Sequence, residues 1–150
     1  MTSLEKIKDF IGRFEGYKIL ENFTVDYTSN VPAHGAIFPN GLVEVSRKSD
    51  ILGNVTAINQ YNFGLYYTFE KSPGDDPAAT ENADWIMEFQ EWIQEQSCTG
   101  KAPIFGDVPS AEKITAQNGT IYEAETDGVA IYMVQLSVSF VKKYRGENNG

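Results

Sequence analysis

Residues 61–71 read YNFGLYYTFEK, and few arrangements can house so many rings. In an extended chain successive side chains point to opposite faces. Tyr61, Phe63, Leu65, Tyr67 and Phe69 then form one apolar row, and Asn62, Gly64, Tyr66, Thr68 and Glu70 the other. A chain with a formal net charge of -9 cannot leave the first row in water, so another part of this chain or a second chain must cover it. The natural lid is the stretch NADWIMEFQEWIQEQSCTG (82–100), which reads as a helix. Trp85, Ile86, Phe89, Trp92 and Ile93 make its apolar stripe, and Asp84, Glu88, Glu91 and Glu95 its wet face.

Length adds a second constraint. Residues 54–70, fully extended, span about 55 Å at roughly 3.3 Å per residue, whereas a compact domain of 150 residues is about 40 Å across. Either Gly64 marks a bulge that bends the strand, or the sheet overhangs its own core and meets a neighbouring subunit.

The rest of the chain supplies the partners. Thr2 and Glu5 have capping-box spacing ahead of Leu4, Ile7, Ile11 and Phe14, which recur at helical period. Phe23, Val25 and Tyr27 alternate as in a strand; NVPAHGAIFPNG (30–41) reads as a turn-rich punctuation, and GLVEVSR (41–47) as a further strand. KSPGDDPAATENA (71–83) reads as a polar loop with almost no apolar anchor. AEKITAQNGTIYEAETDG (111–128) reads as a hairpin turning at Asn118 and Gly119, and residues 129–144 as a long strand with Ala130, Tyr132, Val134, Leu136, Val138 and Phe140 on one face. Hairpin-length connections in this order predict an α+β domain over 1–150, a mainly antiparallel twisted sheet with two helices packed on one face.

The residue inventory is poor in reactive chemistry. His34 is the single histidine and lies in PAHGA, without a nucleophile elbow or a Cys/His spacing to pair with it. The carboxylate groups Asp75, Asp76, Glu81 and Asp84, and Glu123, Glu125 and Asp127, lack calcium-loop spacing. No phosphate-cradling glycine motif occurs, so neither metal nor cofactor is expected. The single Cys98 suits a reducing compartment, and the N-terminus MTSLEKIKDF lacks the apolar core of a signal peptide, so a cytoplasmic location is expected. No apolar run reaches the roughly 20 residues of a membrane helix. The 21 acidic residues outnumber 12 basic ones, and SRKS (46–49) and VKKYR (141–145) are too short for a phosphate-tracking stripe. Tight nucleic-acid binding is not expected, although an acidic channel wall lets DNA slide past without sticking. Residue chemistry alone therefore points to a binding or assembly protein.

The layout of SLEKIKDFIGRF, a strand ending in FGLYYTFEK, the NADWIMEFQEWIQEQ helix, KAPIFGD and a final YMVQLSVSFVKKY strand resembles the tail terminator family of tailed phages and phage tail-like particles. The extended 29–53 region departs from the simplest members. The resemblance implies a ring, usually of six subunits, that caps the head-proximal end of the tail tube, stops its polymerisation and joins it to the head. It implies the chain itself, the tail-tube protein, and sheath and head-neck proteins as partners, with DNA passing through the bore without specific binding. Location would be the host cytoplasm during assembly and then the particle. For the bore or the subunit interface, the acidic positions are Asp75 and Asp76 or Glu123, Glu125 and Asp127. A head-completion or neck protein, or a small non-catalytic binding module, shares most of these features.

Overall fold

The computed structural model describes residues 2–14, 22–25, 34–70, 76–124 and 129–146. Helix α1 (Ser3–Ile11) starts in a complete capping box, in which the Thr2 side chain accepts from Glu5 N–H and the Glu5 carboxylate accepts from Thr2 N–H. Strands β1 (Asn22–Val25), β2 (His34–Ser49) and β3 (Val55–Glu70) follow, then α2 (Asp76–Cys98), a single 3-10 turn (Pro109–Ala111), β4 (Lys113–Ala124) and β5 (Val129–Tyr144). The five strands lie in the order β1-β2-β3-β5-β4. All contacts are antiparallel except that of β1, which adds in parallel to β2 over residues 34–37 only. The class is α+β, as its pattern of elements predicts.

One apolar cluster lies between the helices and one face of the sheet. Phe63, Leu65 and Tyr67 of β3 are buried with Tyr132, Val134, Leu136 and Val138 of β5, and Tyr61 is partly buried against them. Phe69 shares their register phase on β3, opposite Ala130. From α2, Trp85, Ile86, Phe89 and Ile93 are buried and Trp92 is partly so, while Asp84, Glu88, Glu91 and Glu95 are exposed. Tyr67 meets Trp85 edge-on at 4.3 Å between ring centroids. Phe14 ties in α1, at 5.2 Å from Phe89 and 5.3 Å from Trp92. A Schellman closure ends α2, with Gly100 at φ +75° and Lys101 N–H donating to Gln96 O.

Four expectations need correction. Residues 76–83 are the first turns of α2 and not part of a loop. Pro77 falls in the opening turn, where a missing N–H costs nothing, and Ala78 and Ala79 are strong helix formers. Asn118 and Gly119 do not turn the chain. They sit inside β4, where the pairing with β5 shifts by one residue between Gln117 and Thr120, because a bulge exploits backbone freedom as readily as a turn does. The 34–41 stretch is likewise continuous strand. Pro39 is tolerated there because the pairing with β1 ends at Ile37, so that no described strand lies along that side of residues 38–49, and a bulge between Pro39 and Gly41 uses Gly41 at φ +114°. Gly64 makes no bulge: it pairs in register with Phe38 and Gln135. A Cβ at that position would come within 3.0 Å of the Tyr66 ring and 3.2 Å of the Asn40 side chain, so glycine makes room for both.

Between α2 and β4, the segment 101–112 covers what the helices leave open. The buried Glu112 carboxylate accepts from Phe105 N–H and Gly106 N–H, each at 2.9 Å, and Lys6 donates to Ile104 O from α1. Phe105 packs edge-on against Phe63 and Phe140. Gly106 crosses β5 so closely that a Cβ would fall 2.3 Å from Val141 O.

Two measurements probe this packing. Phe89→Ala removes a fully buried ring and should cost about 3–5 kcal/mol in urea unfolding, whereas a loss under about 1 kcal/mol would take Phe89 out of the core. Burial raises the Glu112 carboxyl above the usual carboxylate range, against the lowering effect of the Phe105 and Gly106 amides and the Lys6 charge. The native state therefore holds this proton where the unfolded chain has lost it. The group's stability contribution is full below the unfolded carboxylate pKa and falls as pH rises through the native one. Unfolding free energies of wild type and Glu112→Gln, compared from acid to neutral pH, should show wild type losing ground to the variant as pH rises.

Candidate assembly surface

The last contact of α2 with the sheet edge fixes where the helix layer stops: Ser97 Oγ accepts from Ile114 N–H, level with Val138 and Tyr61. Residues 55–60 of β3 run roughly 20 Å beyond that level, at about 3.3 Å per residue. β2 and the end of β5 run out with them. The stretch beyond the helices is thus shared by three paired strands, with Ala57, Asn59 and Phe140 buried within it, and β3 itself is interior.

At its tip the chain reverses through Asp50, Ile51, Leu52, Gly53 and Asn54. One carboxylate organises the turn: Asp50 Oδ1 accepts from Leu52 N–H and Asn54 N–H, both at 2.9 Å, and Oδ2 from the Asn54 amide at 3.0 Å. The Asn54 side chain is the first cause that holds the Asp50 carboxyl below its ordinary pKa. Gly53 takes φ +84°, Asn54 Oδ1 accepts from Gly146 N–H, and Gly146 lies so close to Leu52 and Gly53 that a Cβ would collide at 2.5 Å. This turn presents Ile51, 100% exposed, and Leu52, 66% exposed. These hydrogen bonds fix the turn's backbone while the aliphatic pair stands in water, so a contact made at this knob would cost little further loop ordering.

Behind the knob, on the helix side, a groove of about 300 Å³ runs between Leu42, Glu44, Arg47, Val55, Asn59 and Tyr144. Its polar end depends on a bulge. Residues three apart in a strand normally face apart, but the extra residue between Glu44 and Ser46 puts Glu44, opposite Asn59, and Arg47, opposite Ala57, on one face. They pair through two contacts of 2.9 Å. This pairing lowers the Glu44 pKa and raises that of Arg47.

Among the described residues, no helix lies on the opposite face of the sheet. Gln60, Asn62 and Ser137 form a hydrogen-bonded patch at its centre, with the Asn62 carbonyl oxygen accepting from Gln60 Nε2 and Ser137 Oγ, both at 2.8 Å. Register puts Val43, Ile58 and Val141 on the same face, with Lys48, Lys113 and Lys143 around them. Over residues 56–66 of β3 and 133–143 of β5 this face carries no carboxylate.

The positions singled out for a bore or interface are only partly visible. Asp76 opens α2, and Glu123 lies in β4 opposite Ile131. Asp75, Glu125 and Asp127 lie outside the described residues. His34 begins β2 opposite Thr68, and Cys98 ends α2, exposed. Among the described residues no three His, Cys, Asp or Glu side chains gather, and no helix is long and apolar enough to cross a membrane. The knob itself went unread in the sequence, although a strand followed by DILGN carries its signal: an Asp able to accept from its own backbone, a Gly for positive φ, and two aliphatics where polar residues are usual. No family model and no curated protein matches the chain.

The turn can be tested apart from any partner. Asp50→Ala removes the acceptor of Leu52 N–H and Asn54 N–H, so amide exchange should quicken at those two positions and stay unchanged at Phe63, Leu65 and Tyr67. Unchanged exchange at Leu52 and Asn54 would mean that the carboxylate does not set the turn.

Proposed function

We propose that this chain is a structural, non-catalytic subunit that closes into a ring of the tail-terminator kind, six-membered, at the head-proximal end of a phage tail or tail-like particle. There it would end tube polymerisation and offer the joining surface to head or collar, with sheath and neck proteins as neighbours and DNA passing through the bore. The observation that carries the reading is the rigid turn holding Ile51 and Leu52 in water at the end of a three-strand overhang. A projecting aliphatic knob that meets a different surface on the next copy makes a heterologous contact, and such contacts close into rings when the rotation permits. The order of long strands and aromatic helix supports it through the family resemblance. The acidic positions Asp75, Asp76, Glu123, Glu125 and Asp127 suit a bore that repels phosphate.

The test is electron microscopy of assembled particles with this chain labelled. The expected image is a sixfold ring at the head-proximal end of the tube with a carboxylate-lined bore. Label elsewhere, or a bore lined by Lys and Arg, overturns the reading, and label on tailless heads moves the chain to a neck role. Replacing both knob residues, Ile51→Asp with Leu52→Asp, should leave the monomer's stability within about 0.5 kcal/mol, as exposed substitutions do, while tubes in its presence grow past their normal length.

A further inference from the structure

The helix-free face of the sheet and the outer face of α2 are complementary in charge, in apolar content and in scale. On the sheet, Lys48, Lys113 and Lys143 surround a centre that includes Val43, Ile58 and Val141, and none of the three lysines is in an ion pair with a described residue. On α2, Asp84, Glu88, Glu91 and Glu95 form one stripe at helical spacing, again with no ion pair to a described residue. Met87, 58% exposed, sits among them. Asp84 and Glu95 are about 16 Å apart along the axis at a rise of roughly 1.5 Å per residue. Strand spacing and rise put the lysine positions about 10 to 20 Å apart, so a stripe of that length reaches from Lys113 diagonally towards Lys48 and Lys143.

We propose that the outer face of α2 on one copy seats on the helix-free sheet face of the next copy, with Met87 against Ile58 and Val141 and the carboxylate stripe along the three lysines. This rests on the reading of the chain as a self-assembling subunit, not on the particle that assembly serves. The occupant is a second copy because that face needs a partner with an apolar centre and an acidic rim, and this chain carries one on its opposite side. A helix about 35 Å long and 10 Å wide buries roughly 350 Å² on each side, below the size of a stable complex. The contact is therefore weak and salt-sensitive when made once, and persists when closure lets every subunit make it twice.

The experiment is sedimentation of the full chain over a wide concentration range at low and high salt, with two charge-reversed variants. Wild type should associate, less so at high salt. Lys113→Glu with Lys143→Glu should weaken association about tenfold or more, as should Glu88→Lys with Glu91→Lys, because contacts of opposite charge become contacts of like charge. Mixing the two variants should restore association with the two alternating in equal amounts, since the unchanged helix of the first meets the unchanged lysines of the second and the two reversed faces meet each other. A variant that had merely lost its fold could not do this, and Lys113→Arg with Lys143→Arg should behave as wild type. A wild type that stays monomeric at every concentration overturns the proposal, as does association indifferent to both reversals or a mixture that fails to recover. So does wild type binding single-stranded nucleic acid in a way that the lysine reversal abolishes, since that would give the face to a different occupant. A labelled ring whose assembly ignores the charge swap would sink this contact and spare the proposed function. A working charge swap with no label at the tail would do the reverse.

Discussion

A strand of 16 residues spans about 53 Å, and a helix of 23 residues about 35 Å, so α2 cannot cover β3 and β5 from end to end. Most other features of the fold answer this mismatch. Where the helices reach, the sheet face is aromatic and dry, held by Tyr67, Trp85, Phe89 and Phe14. Where they do not, the segment 101–112 takes over. It is fixed by Phe105 against Phe63 and Phe140, by the Glu112 carboxylate on two backbone amides, and by Gly106 in direct apposition to β5. Beyond it nothing in the described chain covers the sheet, and there Ile51 and Leu52 stand in water.

The sheet's two borders are managed differently from its faces. Among the described residues, 38–49 of β2 and the whole of β4 lack a strand neighbour on one side, and long flat edges of this kind recruit other edges without limit. Each border carries two bulges, after Pro39 and Glu44 on β2 and after Gln117 and Ile121 on β4. Side chains also occupy open backbone donors, since Ser97 takes Ile114 N–H, and Asp107 takes Lys143 N–H where β5 outruns β4. Bulged and capped borders make poor templates for an added strand. Any association would thereby be steered away from the borders.

Periodicity made the middle of the molecule legible. The phase of Tyr61, Phe63, Leu65 and Tyr67, the matching phase from Tyr132 to Phe140, the stripe of Trp85, Phe89 and Ile93, and the Thr2 capping box all arise from residue spacing within one element. Spacing could not reveal the bulges. Asn118 with Gly119 and Pro39 with Gly41 carry turn chemistry, yet a bulge demands the same backbone freedom, and only the neighbouring strand decides between them. Each bulge also flips the phase of the residues beyond it, so the pairing of Glu44 with Arg47 could not be read from alternation. The knob and the Glu112 staple join residues whose proximity depends on the finished turn and loop. Asp75, Glu125 and Asp127, singled out for the bore, fall outside the described residues.

Charge is divided across the subunit more unevenly than a net value of -9 conveys. The stripe of Asp84, Glu88, Glu91 and Glu95 lies on the outer side of the helix layer, and Lys48, Lys113 and Lys143 lie on the far side of the sheet. A subunit with this polarity resists twofold pairing through either surface, because a twofold axis brings like faces together: lysines against lysines, or carboxylates against carboxylates. Head-to-tail contact brings opposite charges together at each step, and its repetition gives either a ring or an open stack. The knob at Ile51 and Leu52 projects from one end of the strands and not from either face, so a contact made through it would lie at an angle to one made through the faces. If both proposed contacts form, their different directions would favour a ring over an open stack.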